Sequence, residues 1–389
     1  MRHIILIFLT ISSIFPVLSQ PIVSQFKLKS STLSYLPINI DTKRWNIGIA
    51  GPVAGVIHDK IIIGGGANFP EGPPWLGGKK IYHQHLYSLS KSLLGRYKWK
   101  KIEFDLPHSL GYSANVSTQQ GLLVIGGDNE YGDLKSVYLI KENGGKLQMV
   151  RFKDLPIAVT ATSAVAIDGK IFLPGGMSGS QATKSLYCLD NIDEKTEWKK
   201  LPDMPEALSN AVVVHQNDGQ EECIFVVGGR NKYPNDITTT FSSKVLKYQP
   251  SQQIWTHVGD LQYNLIHLPL AAGTGIALDN DEIVLFGGDD GTTFNKIEQY
   301  NHDIQNAEGI EKTRLIDQKN ELLTHHTGFN KRILLYNVKS NSTKNIGSID
   351  DFTQVTTSAF YFKKDIIIPS GEIKPGIRTP KIIKITVKQ

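Results

Sequence analysis

Glu372 and Arg378 are the side chains whose types and spacing best suit chemistry in this chain. They flank Pro375 and Gly376 in the stretch SGEIKPGIRTP, residues 370–380. A Pro-Gly turn folds the backbone back on itself and can bring both side chains to one side of a loop. A carboxylate held beside a guanidinium can act as a base, and arginine can grip an anion through two parallel hydrogen bonds. Spacing alone favours a plainer reading, an ion pair that steadies a surface loop. His83 and His85 would share one face of a strand and could bind a metal there, but a solvated face suits them better and no metal is expected. Cys188 and Cys223 are the only cysteines, so disulfides do not hold the fold together, although a bridge between neighbouring sheets stays open.

What must position these residues is a repeat. A short apolar run ending in glycines recurs as IIIGGG (61–66), LLVIGG (122–127), IFLPGG (171–176), CIFVVGG (223–229) and IVLFGG (283–288). A sixth copy, IIIPSG (366–371), carries Ser370 in place of the first Gly. Tight turns such as Asp168-Gly169 join these runs to a preceding strand. A strand bearing Tyr87, Tyr138, Tyr187, Tyr248 or Tyr336 follows, and Trp99, Trp198 and Trp255 come next in three of the repeats. Repeats of about 50 residues with this signature are kelch blades, each one four-stranded sheet. The fold expected is all-β, a six-bladed propeller over 42–389 after a leader at 20–41. The last blade lacks its outer strand at the C-terminal end, so an N-terminal strand around Trp45 is expected to complete it and close the ring.

The connections between the second and third strands of the blades differ in length. Blade one carries the Gly- and Pro-rich stretch 67–84, and blade five carries a polar insertion from Asp289 to about Asn330. Within that insertion EGIEKTRLIDQKNELL has helical apolar spacing and predicts one or two short helices. Blade six, between them in the ring, carries the loop with Glu372 and Arg378. Three long loops on one face predict a walled pocket there.

Arg2 and His3 precede the apolar run Ile4 to Leu18, and Val17 and Ser19 suit cleavage before Gln20, so residues 1–19 read as an export signal. That run is short for a membrane span, and a periplasmic or secreted protein is expected. The formal charge of +5 has no basic stripe with interleaved aromatics, which argues against nucleic acid.

The loop GEIKPGIRT, the stretch GIAGPVAGVIHDKIIIGGGANFP (48–70) and the helical insertion together resemble the N-acetylneuraminate epimerase family of kelch-propeller mutarotases. The order of the blades resembles a cyclically permuted branch of that family. The resemblance implies an isomerase that interconverts the anomers of N-acetylneuraminate, an acidic sugar, without a cofactor. It implies Glu372 as the base and Arg378 as the group that holds the substrate carboxylate or offsets charge. Polar groups of the neighbouring loops, Asn68 and Lys80, are candidates for further substrate contacts. A non-catalytic carbohydrate- or protein-binding propeller is the alternative. A copper oxidase would need Tyr, His and Cys clustered on the axis, which Cys188 and Cys223 do not suit. Oligomeric state stays open, a homodimer included.

Overall fold

The computed structural model describes residues 27–388 apart from Leu93, Asp279 and Asn280, so the expected export signal lies outside the described residues. Six antiparallel sheets stand around one axis, each with four strands along its main path. Blade one runs Ala50–Ile57, Lys60–Asn68, Leu86–Lys91 and Tyr97–Lys101 from the axis outward. Blades two to five repeat that order, and their second strands are Gly121–Ile125, Lys170–Pro174, Glu222–Val227 and Glu282–Phe286.

Blade six is made from both ends of the chain. Phe360–Phe362, Asp365–Pro369 and Lys381–Lys388 supply three strands, and Lys27–Tyr35 supplies the outermost. The closing pair is antiparallel, Lys29 opposite Thr386 and Tyr35 opposite Lys381, with a bulge between Thr32 and Ser34. Ring closure by an N-terminal strand is therefore as expected, but the strand itself is not. Trp45 lies outside any strand and is 83% exposed, and the propeller begins inside the stretch expected as leader. The reason is that an outermost strand stands at the rim and buries little. KLKSSTLSY needs little more than Leu28, which packs against the layer shared with blade five, and Leu33, which packs against the layer shared with blade one.

The core is a set of layers between blades rather than one centre. Ile125 and Leu139 of blade two meet Leu173, Tyr187 and Trp198 of blade three. Ile61, Ile63 and Leu89 of blade one meet Ile367 and Ile382 of blade six across the closure. Each fully buried Ile or Leu is worth roughly 2 kcal/mol before chain entropy is charged against it. The glycine pairs let these layers form. A Cβ on Gly126 would sit 2.3 Å from the carbonyl oxygen of Val159 in the next blade, and one on Gly228 would sit 2.1 Å from that of Leu270. Backbone amides use the space: Gly66 donates to Leu110, Gly127 to Val159, Gly176 to Leu208, Gly229 to Leu270 and Gly371 to Ile49.

At the axis the backbone closes a second ring. Gly51 donates to Thr356, Tyr112 to Gly51, Ala161 to Tyr112, Asn210 to Ala161, Ala272 to Asn210 and Thr356 to Ala272, at 2.7 to 3.1 Å. All six residues have φ between 50° and 59°. Five of them are not glycine, so each costs on the order of 1 kcal/mol in strain, which the closed hydrogen-bond ring offsets.

The polar insertion of blade five forms two helices, Thr292–Asn306 (α1) and Gly309–Thr324 (α2). The second matches the predicted helical stretch. The first was not expected, although Phe294, Ile297, Tyr300 and Ile304 stand at helical spacing along it.

Candidate active site

In every blade the residue after the glycine pair, which is Ser370-Gly371 in blade six, bridges to the residue before the axial ring. The pairs are Ala67 with Ala50, Asp128 with Gly111, Met177 with Thr160, Arg230 with Ser209, Asp289 with Ala271 and Glu372 with Val355. These six equivalent positions surround the mouth of the central channel. Three hold carboxylates and one holds a guanidinium.

Glu372 is placed by a short hairpin, Glu372–Lys374 and Ile377–Arg378, in which it stands directly opposite Arg378. The Pro375-Gly376 turn does what the sequence implied. The amide of Gly376 donates to Glu372 Oε1 at 2.6 Å, and Arg378 Nη1 lies 3.3 Å from the same oxygen. Glu372 Oε2 accepts no hydrogen bond among the described residues. The carboxylate is thus anchored by one oxygen and presents the other. The side chain of Arg378 is only 5% exposed, and its guanidinium lies 4.6 Å from the centre of the Phe69 ring. Its Nε and Nη1 have no aligned hydrogen-bond acceptor.

Lys80 reaches the same mouth from blade one. Its Nζ donates to the Tyr82 hydroxyl at 2.6 Å and stands 4.5 Å from the ring centres of both Tyr82 and Tyr112. Burial lowers the Lys80 pKa, and the Arg378 charge lowers it further. Burial raises Asp128 to about 6 against the pull of Lys80, and burial pushes the Tyr112 hydroxyl up to about 12. Asp128 and Tyr112 escaped the sequence reading, as did Arg230 and Asp289. Burial raises the Asp289 carboxyl above its ordinary value, although the Gly291 amide and Arg230 pull it down.

Asn68 does not join them. It is 4% exposed, its amide donates to the Gly48 carbonyl at 2.8 Å, and its Oδ1 lies 3.0 Å from His83 Nε2. Ala67 occupies the position equivalent to Glu372, and successive side chains on a strand face opposite ways, so Asn68 points away from the mouth. His83 and His85 also part. His85 sits between Asp105 at 2.8 Å and Asp41 at 3.0 Å, where it ties the segment before blade one to the rim. Cys188 and Cys223 are buried and free, and burial pushes both thiols up to about 12.

Three loops wall the mouth, as their lengths implied. Trp75, in a short 3-10 turn of the blade-one loop, donates from Nε1 to Thr324 Oγ1 of α2 at 3.2 Å. A Cβ on Gly376 would lie 2.5 Å from Pro74, so the blade-one loop rests on the hairpin that carries Glu372. Beneath this bridge is a pocket of about 400 Å3, lined among others by Trp75, Arg230, Asp289, Phe294, His326 and Glu372. Its size suits one monosaccharide.

The N-acetylneuraminate epimerase family profile matches residues 152–389, more than half of the chain. The chain belongs to that family. The matched stretch holds Arg230, Asp289, Glu372 and Arg378, four of the groups at the mouth. The N-acetylneuraminate epimerase of Salmonella enteritidis PT4 is 27% identical over 224 residues, which take in 57% of this chain and 54% of that protein. The N-acetylneuraminate epimerase of Haemophilus influenzae is 24% identical over 234 residues, 59% of this chain and 57% of that one. The chain therefore spans about half the length of the curated relatives it matches. The solved "Structure of YjhT" superposes with a TM-score of 0.60 at 15% identity, over 92% of this chain and 100% of the other, which shows a shared propeller fold.

Proposed function

We propose that this member of the epimerase family accelerates the interconversion of the α and β anomers of N-acetylneuraminate. The observation that carries this reading is Glu372, anchored at Oε1 and unbonded at Oε2, on the wall of a monosaccharide-sized pocket. Glu372 takes the proton from the anomeric hydroxyl while a water molecule in the pocket delivers one to the ring oxygen. The ring C–O bond breaks and the keto form appears. Rotation about the bond beside the keto carbon and reclosure in the reverse sense give the other anomer. Reclosure reverses both proton transfers, substrate and product share one oxidation level, and no cofactor is required. General-base assistance of this kind contributes on the order of 100- to 10,000-fold in rate. Arg378 offsets charge beside the base.

Two further readings accompany this. The charged start and apolar run of residues 1–19 support export to the periplasm or the medium. A cyclically permuted blade order accounts for a family match confined to residues 152–389.

The test follows freshly released α-N-acetylneuraminate by proton NMR with and without protein, since the sugar also equilibrates unaided. Faster approach to the β anomer, lost in Glu372→Gln with the fold retained, is the expected result. Full activity in that variant removes Glu372 as the base. Saturable binding without acceleration points to a binding propeller instead.

A further inference from the structure

The pocket is lined by an arginine, Arg230, that no side chain pairs among the described residues. Arg230 follows Gly228 and Gly229 at the start of a short hairpin, Arg230–Asn231 with Thr240–Phe241. Its guanidinium carbon lies 4.4 Å from the centre of the Phe294 ring and 5.9 Å from that of Phe241. Those two rings meet edge to face at 5.6 Å. One ring comes from the hairpin and the other from α1, so the helical insertion builds half of the arginine's seat. The guanidinium makes no hydrogen bond or ion pair among the described residues.

The neighbouring carboxylates are spoken for or set apart. Glu298 accepts from Lys232 Nζ at 2.9 Å and from the Thr239 amide at 2.7 Å. Asp289 Oδ1 accepts from the Gly291 amide at 2.9 Å. Glu372 is held by Gly376 and Arg378. Burial works against the Arg230 charge, and the carboxylates of Asp289, Glu372 and Glu298 only partly compensate. An arginine does not give up its proton, so a guanidinium in this setting gains most from an anion with two oxygens in one plane.

We propose that Arg230, and not Arg378, grips the carboxylate of the acidic sugar. The inference rests on the mutarotase reading for the identity of the ligand. It divides the labour between the two arginines. Arg378, almost fully buried against Phe69 and Glu372, is the positioning residue for the base. Arg230 shares the substrate pocket with Glu372 and selects acidic over neutral sugars, because a neutral ligand leaves its charge desolvated and unpaired.

The experiment compares N-acetylneuraminate with its methyl ester, which keeps the ring and lacks the charge. Affinities are measured by calorimetric titration and anomer exchange by NMR, for the wild type, Arg230→Met, Arg230→Lys and Arg378→Met. The wild type should favour the acid, and Arg230→Met should weaken acid binding on the order of 10- to 100-fold while leaving ester binding the same or tighter, as expected for a lost charge-assisted pair and a relieved unpaired charge. Arg230→Lys keeps the charge without the fork and should fall between. The loss should appear in KM, with kcat within a few-fold of wild type. Acid preference retained in both Arg230 variants and lost in Arg378→Met overturns the proposal and leaves the mutarotase reading intact. A wild type that prefers the acid through Arg230 but does not speed anomer exchange supports the proposal and sinks that reading. No preference in the wild type overturns the proposal.

Discussion

Two ion pairs on opposite faces of the propeller differ in how completely their polar groups are bonded. On the face away from the loops, Lys247 Nζ lies 2.8 Å from Asp218 Oδ2, and the amides of Gln220 and Glu221 donate to Asp218 Oδ1 at 2.9 and 3.1 Å. Burial opposes ionisation there, yet Lys247 and the two amides hold the Asp218 carboxyl at about 2. Both carboxylate oxygens are bonded. At the mouth, Arg378 and Glu372 are as deeply placed, but they meet at 3.3 Å out of alignment and leave donors and one oxygen unbonded. Saturated groups secure a turn. Unsaturated groups in a pocket are available to something that binds there.

The comparison can be broken in four ways, and the largest effect belongs to the mouth. Arg378→Met should lower kcat for anomer exchange by about 1,000-fold through a misplaced base, with little change in Tm. A full loss of folding instead would make that pair structural as well. Lys247→Met should do the reverse, costing about 3 kcal/mol in denaturant unfolding while kcat is unchanged, because it strands a buried carboxylate.

The pH dependence is next, and the two aspartates act with opposite sign. Asp218 has a depressed folded pKa, so its contribution is complete above the ordinary value of 3.8 and is lost as pH falls toward about 2. Asp128 is raised to about 6, so it favours the folded state below 3.8 and loses that advantage as pH rises through 6. Scanning calorimetry of Asp128→Asn should therefore show less decline in Tm than wild type between pH 4 and pH 7. An identical decline in both proteins would mean that Asp128 is not the group responsible. The smallest effect is Trp75→Phe, which removes one exposed hydrogen bond to Thr324. Anomer exchange should change by about five-fold or less, since such bonds contribute about 1 kcal/mol.

Much of this architecture was legible because it repeats. The glycine-ended runs located the second strand of all six blades, and the long loops marked the face that carries the pocket. Glu372 and Arg378 were legible because a hairpin of fixed register sets residues six apart opposite each other. Arg230, Asp128 and Asp289 carried a signal that went unread: each is the first residue after the glycine pair, as Glu372 is. Applied to blade one, the same rule selects Ala67 and excludes Asn68. What no local pattern could supply was the outermost strand Lys27–Tyr35, which has only two leucines and a bulge that breaks its alternation, and the aromatic seat of Arg230, which joins blade four to α1.

Closure by two distant segments also sets a timetable. Blade six carries Glu372, yet it pairs residues 27–35 with residues 381–388, which are synthesised only after the five blades between them. Blades one to five can order themselves as they emerge. The blade that bears Glu372 is completed only after Lys381–Lys388 has arrived, so deleting either of the two paired strands opens the ring beside the pocket.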